Sequence, residues 1–335
     1  MKATPPLKIL GSARDLPAAV WDDLAEPGDL FVSARWLRVA EDTSGVPMWY
    51  LLYGLPGELR GGLPAALVPR SAPWLLGRPD TLLQHCIELG EPAAQQCRAA
   101  LPTDLARALM PALVCGGRHL GRTRALTRGE DEAASTDLVA AAERLMRDQG
   151  ARCIAFLYVD EREAVLRRVL TRRGYTCFPS ATDTWLPVPD DGFDGYLAAR
   201  SGHRRQRILA ERRRIAAGGA HVQMEPLSSD LIPALARMDT ALLVKYGAAA
   251  TASQSAAVLE RVLAEFGDDA LACTARIHGT LCGFALVLRR GDHWYAYRSG
   301  FDYSLKGDLP LYFEVVFYHP IEAARAAGAQ IIHYG

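Results

Sequence analysis

Seven arginines and one glutamate fall within Arg200 to Arg214 (RSGHRRQRILAERRR), a formal charge of +6 in a 335-residue chain whose total is zero. The remainder carries −6, so the positive field is concentrated in one place. Such a field draws in phosphate or an acidic partner and speeds the encounter. The plain alternative is a solvated helix face. Position argues for more: the run follows the acidic segment PVPDDGFDGYL (187–197), where two halves of the chain would meet. Ile208 and Ile215, seven apart, mark a buried stripe. Arg204, Arg205, Arg207, Arg212 and Arg214 should then be displayed, and are candidates for docking a phosphate-bearing or acidic partner.

Other side chains could do chemistry near the C-terminus. Arg298 sits in the aromatic stretch WYAYRSG and must be paired there, which calls for a carboxylate or phosphate. It is the leading substrate-binding candidate outside the basic run. Asp302 ends the same stretch and could act as a base, bind an amine, or simply cap a turn. Glu314 and Tyr318, four apart on the next helix, share a face, with Tyr312 nearby; the alternative is aromatic packing, preferred for Phe313 and Phe317. His333 lies on a final strand, as a base or a structural histidine. Lys245 and Tyr246 close a helix, where a lysine also complements the dipole. No Ser-His-Asp or Cys-His-Asp arrangement is evident, so no covalent nucleophile is expected.

The elements that must position these groups can be read from the chain. Its length, with half the residues hydrophobic and 23% charged, points to two domains, 1–190 and 191–335. Apolar runs are too short and interrupted to span a membrane, and MKATPPLKILGSARDLP lacks the apolar core of a signal peptide. Seven scattered cysteines without a CxxC pair fit reduced thiols, no structural zinc and a cytoplasmic location.

In the first half, short helices at Trp21–Leu24 and Ser33–Asp42 precede a hairpin of 48–55 and 59–69 about Pro56-Gly57. A helix over 100–113, a glycine-rich turn at 114–121 and a helix over 135–149 follow. Next come a strand buried on both faces (153–159), a helix over 161–173 and a strand over 175–187. In the second half, helices at 230–246 and 253–266 lead into a three-strand meander, 271–277, 280–290 and 293–302. His278-Gly279 and Gly291-Asp292 supply its tight turns. A helix over 310–327 and a strand over 330–335 end the chain. A meander that feeds a helix and then a parallel strand forces two neighbouring strands apart. An extended pantetheine-like arm can pair in the gap as a further strand, beside a helix N-terminus suited to phosphate.

The segments YLAARSGHRRQRILAERRR, DTALLVKYG and LACTARI through IIHYG, with FVSARWLRVAEDTSG and VCGGRHLG in the first half, resemble the FemAB/BioF2-like branch of the GNAT superfamily. The resemblance covers most of the chain. It implies an α/β (α+β) fold of two tandem GNAT-like domains, each a mixed, mostly antiparallel sheet flanked by helices. It implies acyl or aminoacyl transfer to an amine, from a CoA thioester, a carrier-protein thioester or an aminoacyl-tRNA. It points to main-chain N–H groups from Tyr297 through Ser299 to Gly300 as the carbonyl-binding site, and raises Lys245 to a substrate-pocket candidate.

The chain departs from the GNAT pattern in two places. Where a pyrophosphate-cradling Arg/Gln-x-x-Gly-x-Gly/Ala loop is usual, SLKGDLPLY (304–312) has one glycine, an aspartate and a proline that removes a donor. CGGRHLG (115–121) also lacks the pattern. Free acetyl-CoA is disfavoured, and a donor held through an anionic carrier is expected. The usual last helix and hairpin are also absent after Gly335, so the first half would complete the sheet or those elements are missing. The expectation is an N-acyltransferase acting on a small-molecule amine, with no tightly bound cofactor, an acyl thioester (phosphopantetheine or CoA) as co-substrate, and an acidic acyl-carrier protein as partner. The alternatives are aminoacyl transfer from tRNA, and a non-catalytic nucleic-acid-binding protein.

Overall fold

The computed structural model describes residues 6–26, 29–55, 57–73, 76–116 and 123–335. The chain forms two compact units, Met1–Ala181 and Thr182–Gly335.

The first unit is built on strands β1 (Leu7–Leu10), β2 (Met48–Leu55), β3 (Glu58–Val68), β4 (Ala112–Gly116), β5 (Leu126–Thr127) and β6 (Cys153–Leu157), in the order β1-β2-β3-β4-β6 with β5 beside β3. Only β4 and β6 run parallel. The β2–β3 hairpin forms as the alternating apolar runs require; Pro56 of its turn lies outside the described residues. Ser33 caps the helix Ala34–Ser44 by accepting from the Trp36 amide.

Three readings of this half need correction. The helix over 100–113 shrinks to Leu105–Leu109, because Pro111 cannot continue it and the apolar run ALVCG pairs as β4 instead. Val114 to Gly116 of the expected glycine-rich turn are therefore strand, and Gly117 to Gly121 lie outside the described residues. β6 is not buried on both faces: it pairs with β4 alone, at the sheet's margin, and only Leu157 of it is buried.

The second unit carries β7 (Trp185–Pro187), β8 (Ala220–Pro226), β9 (Ala270–Ile277), β10 (Thr280–Arg290), β11 (His293–Phe301) and β12 (Ile331–His333), ordered β7-β12-β11-β10-β9-β8. The β9–β10–β11 meander has the expected bounds to within a residue, and β12 adds in parallel to β11. The long strand expected over 175–187 reduces to β7, which pairs with β12 in this second sheet. β8 has no sequence signal in AHVQMEP, whose polar and apolar residues give no clear period.

The helix Gly202–Ala217 and the helical stretch from Leu311 to Ala326 cover one face of this sheet. Ile215, Leu311 and Val315 pack on Cys273, Ala285 and Phe301, and Ile208, Tyr318 and Ile321 on Val287, Trp294 and Ile332. The single helix expected over 310–327 is interrupted by a π-helical turn, Glu314–Tyr318, between Leu311–Phe313 and His319–Ala326. The helix Ile232–Lys245 lies on the other face, close against β11.

Gly300 allows that close approach. A Cβ there would lie 2.5 Å from the Met238 carbonyl carbon and 2.8 Å from the Asp239 nitrogen, both main-chain atoms that cannot step aside. Gly300→Ala should therefore cost about 1–3 kcal/mol of stability. Urea unfolding checks it; an unchanged midpoint would mean that this approach is looser than the structure shows.

Candidate active site

β10 and β11 pair from Arg290↔His293 to Gly283↔Phe301, with a register shift between Leu286 and Val287. Leu286 faces Arg298 and Val287 faces Ala296, so Tyr297 is the extra residue of a β-bulge. On its other edge β11 pairs with β12 for three residues only, ending at Tyr295↔His333. Beyond that point the chain leaves β11: the Tyr334 amide donates to the Thr184 carbonyl at 2.7 Å. Among the described residues, Ala296–Phe301 have no strand on this side.

The direction of the freed groups follows from the ladder. The Asp302 amide donates to the Cys282 carbonyl at 2.9 Å, toward β10. Alternation then turns the N–H and C=O of Ser299 and Phe301 to the unpaired side. The opening thus offers main-chain donors and acceptors in strand geometry, which can pair an extended arm and stabilise an oxyanion.

His333 stands where the strands part. Its Nε2 is 2.9 Å from His293 Nδ1, and its ring stacks on Tyr295 with centroids 4.4 Å apart. Neighbouring Tyr334 stacks on Phe317 at 4.4 Å, and burial pushes its hydroxyl well above its ordinary pKa.

Arg298 finds its carboxylate inside the protein. Its Nη1 donates to Oδ2 of buried Asp239, on the helix Ile232–Lys245. Ser255 Oγ donates to the same oxygen at 2.7 Å, and Thr240 Oγ1 to Ser255 at 3.1 Å. Burial alone would lower the arginine's pKa, but Tyr297 and Asp239 outweigh it and keep the guanidinium charged. The network ties the strand beside the bulge to a helix.

Other candidates are engaged elsewhere. Asp302 accepts from Ser304 Oγ (2.6 Å), Ser304 N (3.0 Å) and Leu305 N (3.1 Å), capping the helix Tyr303–Lys306. These bonds, the serine hydroxyl first, lower its pKa, which suits a cap better than a base. Glu314, buried in the π turn, receives both arms of Arg212 at 2.8 and 2.9 Å. Tyr318 is buried among Phe193, Tyr196 and Phe313. Lys245, Tyr246 and Tyr312 gather with Tyr303 in an exposed cluster: Lys245 Nζ is 4.7 Å from the Tyr303 ring centre, and Tyr246 is 72% exposed. Burial and the hydroxyls of Tyr246 and Tyr303 raise the Tyr312 pKa.

Arg212 departs from the display expected for the basic helix. Its guanidinium turns inward to Glu314 and, at 3.0 Å, to Glu322, because the stripe of Ile208 and Ile215 brings it against the neighbouring helix. Arg204 reaches over the Phe313 ring at 5.9 Å, and Arg207 pairs with Glu211 at 2.9 Å. Arg205, Arg213 and Arg214 are exposed.

The residues not anticipated are Asp239, His293, Tyr303 and Arg213. A polar residue inside the apolar stripe of Leu235, Met238 and Leu242 was the available signal for Asp239.

The corresponding place in the first sheet is filled by the chain itself. Thr123 Oγ1 lies against the carbonyls of both Cys115 and Leu157, where β4 and β6 end, and Thr123 bridges to Val159. Among the described residues, the opening is therefore a feature of the second unit.

A family model named FemAB-like, described as peptidoglycan biosynthesis/recognition, matches residues 114–335. No curated protein matches the chain. Among solved structures, FemX is 12% identical, covering 98% of this chain and 88% of its own, with a TM-score of 0.59. A conserved protein of unknown function from Bacteroides thetaiotaomicron is 11% identical (98% and 90% covered, TM-score 0.50). A tandem GNAT protein from the clavulanic acid biosynthesis pathway is 12% identical (98% and 89% covered, TM-score 0.46). The fold is accordingly one shared with FemX, in two units that are each a mixed sheet flanked by helices.

Removing Arg212 should leave Glu314 buried and unpaired. Arg212→Ala is expected to cost about 3–5 kcal/mol, against under about 0.5 kcal/mol for Arg214→Ala on the exposed side. Chemical unfolding of the two variants checks this, and equal small losses would contradict the structural assignment of Arg212.

Proposed function

The chain belongs to the FemAB-like family, and from that premise we propose that its second unit transfers an acyl or aminoacyl group from an activated donor to an amine. The observation that carries this reading is the parting of β11 from β12 after Tyr295↔His333. Family membership and the fold shared with FemX support acyl or aminoacyl transfer in general.

In the reaction, the acceptor nitrogen attacks the donor carbonyl and a C–N bond forms. The oxyanion is met by an outward N–H of Ser299 or Phe301, while the rest of the arm pairs along the same edge. His333, coupled to His293, takes the proton the nitrogen loses. Collapse breaks the bond to the leaving sulfur, which departs as thiolate and is protonated, so thioester and amine give amide and thiol. Arg298, Asp239 and Ser255 hold the bulge in place. Lys245, Tyr246, Tyr303 and Tyr312 form the acceptor side, for a small-molecule amine.

The finer reading is a thioester donor on a phosphopantetheine arm. The N–H groups of Ser304 and Leu305, which a pyrophosphate would take, are already bound by Asp302. Lys306 Nζ is spent on the carbonyls of Gly307 and Leu309, each at 3.0 Å. This disfavours anchoring through CoA pyrophosphate and favours a donor moored by its carrier on the exposed arginines. The cysteines, free among the described residues, are consistent with a cytoplasmic reaction. A second reading, aminoacyl-tRNA as donor, is supported by Arg204 and Arg200 lying over Phe313 and Tyr196, cations beside flat rings.

Intact-mass screening of amines with acyl-CoA, acyl-carrier and aminoacyl-tRNA donors tests the proposal. An amide product that persists after RNase treatment is expected with the carrier donor. Product only with intact tRNA would transfer the assignment to the second reading, and salt-sensitive nucleic-acid binding without product would overturn both. His333→Gln should lower kcat about 100-fold or more, the usual contribution of a positioned base, with the amine KM little changed. An unchanged kcat would remove His333 from the proton path.

A further inference from the structure

The outward face of the arginine helix carries a pattern that charge alone does not explain. Arg205, Leu209 and Arg213 follow one another at four-residue spacing on Gly202–Ala217 and so form one stripe. The two arginines are exposed, and Leu209 between them is 39% exposed. Neither arginine has a carboxylate partner among the described residues, unlike Arg207 and Arg212 on the same helix. The stripe is roughly 12 Å long, two turns of helix.

A phosphate backbone would use the two cations and gain nothing from the leucine. Unpaired bases would need flat rings, and the helix sequence GHRRQRILAERRRIAA contains no Phe, Tyr or Trp. An acidic protein helix with an apolar residue between carboxylates matches all three positions: an apolar centre shielded by a charged rim.

We infer that the Arg205–Leu209–Arg213 stripe docks an acidic helix of the protein that carries the acyl donor, rather than a nucleic acid. The inference rests on the proposed transfer only for what the partner delivers. The same helix touches the helical stretch Leu311–Ala326 through Arg204, over Phe313, and through Arg212, on Glu314, and that stretch packs on Phe301 of β11, so a carrier seated on the helix lies beside the element that covers the strand with the open edge.

The full chain is titrated with an apo acyl carrier protein, which lacks the phosphopantetheine arm, and separately with unfractionated tRNA. Leu209→Ala leaves every charge in place and puts the best helix former at an exposed site, so folding is retained. It should weaken carrier binding about tenfold, and Arg205→Glu/Arg213→Glu about 30-fold or more. Carrier binding indifferent to both changes, or tRNA binding lost on charge reversal while the carrier does not bind at all, would overturn the inference. Product from a carrier-free acyl-pantetheine is assayed in parallel. Docking without product from acyl-pantetheine, acylated carrier or aminoacyl-tRNA would sink the transfer reaction alone, and product without docking would sink the docking alone.

Discussion

A β-strand must place its N–H and C=O groups somewhere, and β11 has two edges to satisfy. One is filled by β10 at every residue but the bulged Tyr297; the other is filled by β12 for three residues. The rest of the second unit can be understood from that shortage. β12 turns away because its far edge is held by β7 and Thr184, and its near edge opens at His333. The groups left over on Ser299 and Phe301 are in strand geometry but have no strand. An acylated arm is an occupant with the right shape.

An opening in a sheet is stable only if its walls are held from outside. On one face, Gly300 lets the helix Ile232–Lys245 sit directly on the strand, and Asp239 of that helix holds Arg298. On the other face, Phe301 and Trp294 pack under the helical stretch that contains the π turn, which Arg212 fastens to the arginine helix through Glu314. The arginine helix therefore does two things at once. Its inward side fastens the wall of the site, and its outward side leaves Arg205, Arg213 and Arg214 to solvent. The run of like charge is divided by the helical period, not by residue type.

The sequence made some of this legible. The meander was readable because its turns need positive φ, and His278, Gly279 and Gly291 adopt it at +50°, +82° and +59°. That Arg298 must be paired followed from its surroundings, but its partner lies 59 residues away and no local pattern names it. Arg212 looks like its neighbours in the run; only the approach of Glu314, 102 residues on, separates it from them. β7 follows the first half in sequence but pairs in the second sheet, because a strand's partner is not written in its own residues, and β8 is hidden by its weak alternation. The site's position was thus readable from element order, while its fastening depends on long-range contacts.

The claim on which all this rests is that the outward amides of Ser299 and Phe301 are unpaired and available. Residue-resolved amide hydrogen exchange, on the free protein and with acylated carrier present, measures it directly. Fast exchange at Ser299 and Phe301 beside slow exchange at Gly300, with the first two slowing when the donor binds, is the predicted result. Strong protection of Ser299 and Phe301 in the free protein would mean that the edge is already paired and would contradict the account.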